Sequence, residues 1–119
     1  MSDKIPTVVP KIVPKPWGRE DWLVVGARIV MKRLVVHAGQ RFSLQLHREK
    51  EEAWLFVRGR ARLRLGGVEG EVVPGQVIHV APGTIHRIEA LEELEFLEVS
   101  TPELTDVVRL EDDYGRAGT

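Results

Sequence analysis

The sequence predicts an all-β domain, and three observations predict it. From Trp22 onward, short β-branched runs recur along the chain. Glycines at 26, 39, 59, 66, 67, 70, 75 and 83 punctuate those runs. Within several runs apolar and polar residues alternate with a period of two, as in Arg60-Ala-Arg-Leu-Arg-Leu65. Together these indicate a β-sandwich or barrel. The length of 119 residues suits a single domain with a core of its own.

Composition narrows the class further. Hydrophobic residues at 43% and charged residues at 29% describe a folded chain, not a disordered one. A formal net charge of −1 gives no bulk attraction to nucleic acid. No apolar run approaches the ~18 residues a membrane helix needs. The first twenty residues carry charges and four prolines where a signal peptide needs an apolar stretch, so a soluble, cytoplasmic protein is expected. The absence of cysteine rules out disulfides and thiolate metal sites. No Asn and three Gln, with abundant Arg and Glu, form a pattern of heat-adapted proteins.

The elements follow in order. Residues 1–16 form a Pro-rich extended arm, because Pro6, Pro10, Pro14 and Pro16 deny the backbone its donors and exclude helix and central strand. Residues 17–119 form the β domain, with strands expected near 21–25, 28–36, 41–47, 53–58, 60–65, 71–73, 76–81, 85–90, 94–100 and 106–110. In 60–65 three arginines share one face while Ala61, Leu63 and Leu65 share the other. A half-solvated strand is the favoured reading there, and a phosphate-binding stripe the alternative. Residues 89–95 resemble a helical turn, but Phe96, Leu97 and Val99 continue them as a strand. In Phe42-Ser-Leu-Gln-Leu-His47 the apolar Phe42, Leu44 and Leu46 oppose the polar Ser43, Gln45 and His47. A polar face enclosed in a small barrel marks a site.

Gln45 and His47 project together from one strand, and Glu52 follows five residues later. The run from Gly75 to His86 adds a strand, a Pro-Gly turn and a second imidazole. Two imidazoles, a carboxylate and an amide oxygen can hold a divalent metal and leave positions open. This sulfur-free set suits Zn, Mn, Fe(II), Co or Ni without choosing among them.

The spacing Gly39, five residues, Gln45-x-His47, four residues, Glu52, six residues, Gly59 resembles the first motif of the cupin superfamily. Gly75, Pro82, Gly83 and His86 resemble its second, with Ala90 where Asn is usual. The resemblance implies a cupin-type double-stranded β-helix, a jelly-roll barrel. Gln in place of the first cupin His is similar to phosphomannose isomerases, as are Lys15-Pro-Trp-Gly-Arg-Glu20, Ser43–His47, Glu52-Ala-Trp54, Gly83–Ile88 and Asp106–Arg116. These resemble the type II mannose-6-phosphate isomerase cupin. The implied metal ligands are Gln45, His47, Glu52 and His86, with zinc first and Mn, Co, Fe or Ni as alternatives. The implied activity is interconversion of mannose 6-phosphate and fructose 6-phosphate; the resemblance names no base, and His79, which alternates with Ile78 and Val80 and so is expected to point inward, is the candidate proton shuttle. Arg41, Lys50, Arg87, Arg109 and Arg116 are the candidate phosphate contacts. Lys50 stands where the family usually has Arg, which weakens bidentate phosphate binding. That family often carries a nucleotidyltransferase half, absent here, so GDP-mannose synthesis is not expected. Two other readings stand beside this one: a metal-binding cupin that holds a sugar phosphate or other small acid without isomerising it, and a metal-dependent dioxygenase or other cupin enzyme. The apolar face of Phe42, Leu44 and Leu46 needs a cover, so a homodimer with the arm contributing is expected. Because His47 and His86 must be neutral to ligate, metal affinity is expected to fall below pH of roughly 6.5.

Overall fold

A computed structural model describes residues 4–118. Residues 4–10 belong to no strand, and eleven strands follow among the described residues. They are β1 (Lys11–Lys15), β2 (Gly18–Val25), β3 (Val30–Val36), β4 (Leu44–Leu46), β5 (Glu52–Arg58) and β6 (Ala61–Leu65). The rest are β7 (Val68–Val72), β8 (Val77–Val80), β9 (His86–Ala90), β10 (Leu94–Ser100) and β11 (Val108–Glu111). No helix occurs among the described residues.

The strands form two antiparallel sheets. One runs β1-β2-β3-β10-β5-β8 and the other β11-β4-β9-β6-β7. β1 contains Pro14 and sits at a sheet edge, where a missing donor is tolerated. It is an element that the proline content obscured. Gly66-Gly67 closes the β6–β7 hairpin, with Leu65 opposite Val68; Gly66 has the φ of +59° that this tight turn requires.

Period-two alternation fills the space between the sheets. From the larger sheet come Leu34, Val36, Trp54, Phe56, Leu94 and Phe96, and from the smaller Ala61, Leu63, Ile88 and Ala90. Trp54, Phe56 and Phe96 meet with ring centroids 5.2–6.5 Å apart, distances at which tilted and edge-on aromatic pairs are favourable. Arg60, just before β6, and the arginines within it face outward, where Arg60 pairs with Glu71 and Glu92, and Arg62 with Glu69. That is the half-solvated strand expected from the sequence.

Two readings of 41–47 change. The strand shrinks to residues 44–46, with Arg41 left in an isolated bridge to Glu89. Phe42 does not share a face with Leu44: its ring turns into the barrel and lies 4.4 Å from Trp17, centroid to centroid. The irregular backbone at 42–43 breaks the alternation on which the apolar face was predicted. Leu44 is already buried on the outer side, in a hollow it shares with Arg41, Arg62, Arg64 and Arg87. The apolar side chains that do remain exposed lie elsewhere, with Leu55, Val57, Val77 and Val99 on the outer face of the larger sheet.

Gly59, in the turn from β5 to β6, has φ of +82°, and a Cβ there would stand 2.1 Å from the Glu93 carbonyl oxygen. Gly59→Ala therefore meets both left-handed strain and a backbone clash. It is expected to destabilise the fold by more than about 2 kcal/mol. Thermal unfolding checks this, and an unchanged melting temperature would contradict it.

Candidate metal centre and anion cavity

The two sheets bring distant residues to one place. Arg109, Gln45, His86 and Leu65 lie in register across β11, β4, β9 and β6, so their side chains share the inner face of the smaller sheet. His47 follows β4 directly, and Glu52 opens β5 in the opposite sheet. His47, Glu52 and His86 are all buried and offer ligand atoms that lie within 4.8 Å of one another.

The imidazoles are held so that their ligating nitrogens converge. His47 Nδ1 donates to the Asp106 carbonyl oxygen, and His86 Nδ1 donates to the Thr84 carbonyl oxygen at 2.9 Å. A carbonyl only accepts, so each Nδ1 carries a proton and each Nε2 turns a lone pair inward. His47 Nε2 then faces Glu52 Oε1 at 3.2 Å. Two lone-pair-bearing atoms at that separation call for a cation or a proton between them. That contact, with the imidazole–carboxylate donor set, fits a divalent metal.

Gln45 presents its amide differently. Ser43 Oγ donates to Gln45 Oε1 at 2.6 Å, and Gln45 Nε2 faces the two imidazole Nε2 atoms at 3.4 and 3.3 Å. Ligation through Oε1 requires the amide to turn by half a revolution, after which Ser43 Oγ accepts where it had donated. Gln45 thus lies in the predicted place, but His47, Glu52 and His86 are the three that already aim at the centre.

Burial pushes the Glu52 carboxyl up, yet its contacts with His47 and the Lys50 ammonium overcome it and hold the group at about 2. Burial pushes His86 below its ordinary value, which keeps the ring neutral. Trp54 Nε1 donates to Glu52 Oε2 at 3.0 Å and fixes the carboxylate plane. Asp106 braces the loop after His47: its carboxylate accepts from the backbone N–H of Arg48, Glu49 and Lys50 at 2.7–3.1 Å. Those donors hold its own pKa down.

The cations separate into two groups. Lys50, Arg109 and Arg116 line a cavity of about 110 Å³ beside Gln45, His47 and Glu52. Arg116 is held by Asp112 through both carboxylate oxygens at 3.0 Å. Arg109 Nε is buried with no hydrogen-bond partner among the described residues. Burial and the neighbouring Arg116 push its guanidinium below the usual arginine value. Arg41 and Arg87 do not reach the cavity. Arg41 pairs with Asp113 at 2.6 Å, and Arg87 donates to the Phe42 carbonyl oxygen and lies near Glu111, on the outer side of the smaller sheet. His79 also points outward: its ring bonds Glu51 on the surface. In register with Ala53 rather than Trp54, it falls on the outward phase of β8.

The cavity also contains charged residues that were not among the site candidates: Lys15 and Glu20, the ends of one family-like run, and Lys32 and Glu98. Lys32 and Glu98 carry a legible signal, since each interrupts the apolar phase of its strand, between Val30 and Leu34 and after Leu94 and Phe96. Burial, with the Glu52 charge adding to it, raises Glu98 to about 7 against the pull of Lys50 and Lys32.

Comparison with known proteins places this geometry. The family described as "Mannose-6-phosphate isomerase C-terminal" matches residues 4–112. Mannose-1-phosphate guanylyltransferase ManC of Salmonella typhimurium is 35% identical over 109 residues, covering 87% of this chain and 23% of that protein. Xanthan biosynthesis protein XanB of Xanthomonas campestris is 34% identical and alginate biosynthesis protein AlgA of Pseudomonas aeruginosa 32%, with the same coverage. The chain thus spans under a quarter of the length of these relatives. Among solved structures, an RmlC-like cupin from Shewanella frigidimarina superposes with a TM-score of 0.75 at 16% identity, covering 82% of this chain and 87% of that one. KdgF from Halomonas gives 0.73 at 16% identity, covering 81% and 91%. These likenesses establish the cupin double-stranded β-helix. They also correct the expected activity. The matched guanylyltransferases are named for guanylyl transfer, not for interconverting mannose and fructose 6-phosphates, and the histidine expected to move the proton lies outside the barrel. By its match over nearly its whole length, the chain belongs to the mannose-6-phosphate isomerase C-terminal family of cupins.

Proposed function

We propose that this chain is a metal-binding cupin module that holds a small, oxygen-rich anion of the sugar-phosphate class without isomerising it. The observation that carries the reading is Arg109, whose buried Nε lacks a partner among the described residues and which shares a cavity with His47 and Glu52. A buried N–H without a partner is costly, and an anion that accepts from it repays the cost. The charge around it agrees: Lys15, Lys32, Lys50, Arg109 and Arg116 line the cavity against Glu20, Glu52 and Glu98. Relatives named for mannose 1-phosphate favour a phosphorylated sugar over other anions.

His47 and His86 would hold the metal through Nε2 and Glu52 through Oε1, with Gln45 joining if its amide turns. A bound divalent metal would supply Lewis acidity toward ligand oxygens. The protein's own part is to orient both imidazoles through their Nδ1 donors, to order the carboxylate through Trp54, and to set a cationic wall opposite. Arg109 and Arg116 would take the anionic end of the ligand, Arg116 stiffened by Asp112.

Calorimetric titration of metal-loaded protein with mannose 1-phosphate, and with inorganic phosphate, tests this. Binding is expected for the native chain, and Arg109→Met is expected to weaken it ten- to hundredfold, the worth of a hydrogen bond to a charged group, about 1.5–3 kcal/mol. Equal binding by the variant, or no binding of either compound, would overturn the reading.

A further inference from the structure

Lys50 is buried, and its Nζ lies 2.7 Å from Glu52 Oε1 and 3.7 Å from Glu98 Oε2. The first is a close ion pair. The second is too long for a hydrogen bond, and Glu98 Oε2 is buried without any hydrogen-bond partner among the described residues. Glu98 stands on the inner face of the larger sheet, in register with Lys32 on one side and Trp54 on the other.

The crowded atom is Glu52 Oε1. It faces both His47 Nε2 and the Lys50 ammonium, while Glu52 Oε2 accepts from Trp54 Nε1. A divalent cation ligated by Oε1 would confront the ammonium across a single oxygen, and Glu52 has no second free oxygen to offer the lysine. A buried ammonium without a counter-ion is strongly disfavoured. Glu98 Oε2 is the carboxylate oxygen within reach that has no hydrogen bond to lose. A shift of about an ångström at the end of a flexible four-carbon stem closes the gap to hydrogen-bond length.

We infer that Lys50 is a tethered internal cation that occupies Glu52 and transfers to Glu98 when a divalent metal takes Glu52. The inference rests on the metal centre proposed above. Lys50 thereby weakens metal binding, and Glu98 limits how much it does so, by giving the displaced ammonium a second partner. The two residues are positioning residues that act on the metal through Glu52.

The test is a double-mutant cycle read in the dissociation constant for Zn(II) or Mn(II), with no substrate present, by calorimetry and by Trp fluorescence. Lys50→Met is expected to tighten metal binding about tenfold or more. Glu98→Gln is expected to weaken it about tenfold while Lys50 is present and to change it less than about threefold in the Lys50→Met background. If Lys50→Met does not fold by circular dichroism, Lys50→Gln takes its place. Equal effects of Glu98→Gln in both backgrounds, or metal binding unchanged by loss of Lys50, overturn the transfer. A folded set of proteins in which none takes up metal overturns the metal centre itself and the transfer with it.

Discussion

His47→Ala and His86→Ala are each expected to lower divalent-metal affinity by more than about a hundredfold. Loss of a group that merely supports a ligand already costs ten- to hundredfold, and these substitutions remove the ligand. The two histidines lie far apart in the sequence, yet register places them together. His86 stands opposite Gln45, and His47 continues the same phase of β4. Each is held by a backbone carbonyl, so alanine removes both the ligating nitrogen and its orientation. The pH dependence has a definite sign. Burial keeps His86 below its ordinary value of 6.5, so its ring still offers a lone pair at pH 6.5 and loses it only in more acidic solution. The unfolded ring takes up a proton that the folded one resists, so the fold also loses stability as pH falls below about 6.5. Calorimetric titration with Zn(II) at pH 7.5 and 6.0 checks the affinity. Retained stoichiometric binding in either variant would remove that residue from the centre.

Trp54→Ala is expected to be the most damaging single change to the fold, at about 3–5 kcal/mol. That is a large share of the 5–15 kcal/mol that holds a typical domain together. Trp54 is 1% exposed and packs against Phe56, Phe96 and His86. The ring also couples the core to the centre through its N–H to Glu52. Trp54→Phe separates these roles. It keeps most of the packing but leaves Glu52 Oε2 buried without its donor, costing about 1–3 kcal/mol, and frees the carboxylate to rotate. Denaturant unfolding should therefore rank native, Trp54→Phe and Trp54→Ala in decreasing stability. If Trp54→Ala lost less than about 1 kcal/mol, the packing account of this core would be wrong.

Much of the fold was legible in the sequence because its strands obey period two. Ala61, Leu63 and Leu65 face inward and the arginines between them outward, as alternation requires. Reading failed where the backbone leaves that period. Phe42 precedes a three-residue strand and turns inward, so the apolar face built on it does not exist as drawn. β1 was hidden because prolines suppress a strand signal that an edge position tolerates. The clustering of His47, Glu52 and His86 was legible because motif spacing survives in sequence. His79 misled because a histidine beside Ile78 and Val80 looks inward until register shows its phase. Arg41 and Arg87 misled because charge shows need of a partner but not on which side of a sheet. Lys32 and Glu98 could have been found as charges on an apolar phase. Lys15 and Glu20 end a family-like run, but only the pairing of β1 with β2 shows that they face the cavity.

The central claim is that three buried side chains from two facing sheets form a metal centre. Its most direct test is metal content: protein stripped with chelator, equilibrated separately with Zn(II), Mn(II), Co(II) and Fe(II) at pH 7.5, and analysed for bound metal per chain after gel filtration. The account predicts one equivalent with at least one of these ions, and none in the His47→Ala, His86→Ala double variant. A folded native chain that retains less than about a tenth of an equivalent of every ion would contradict it.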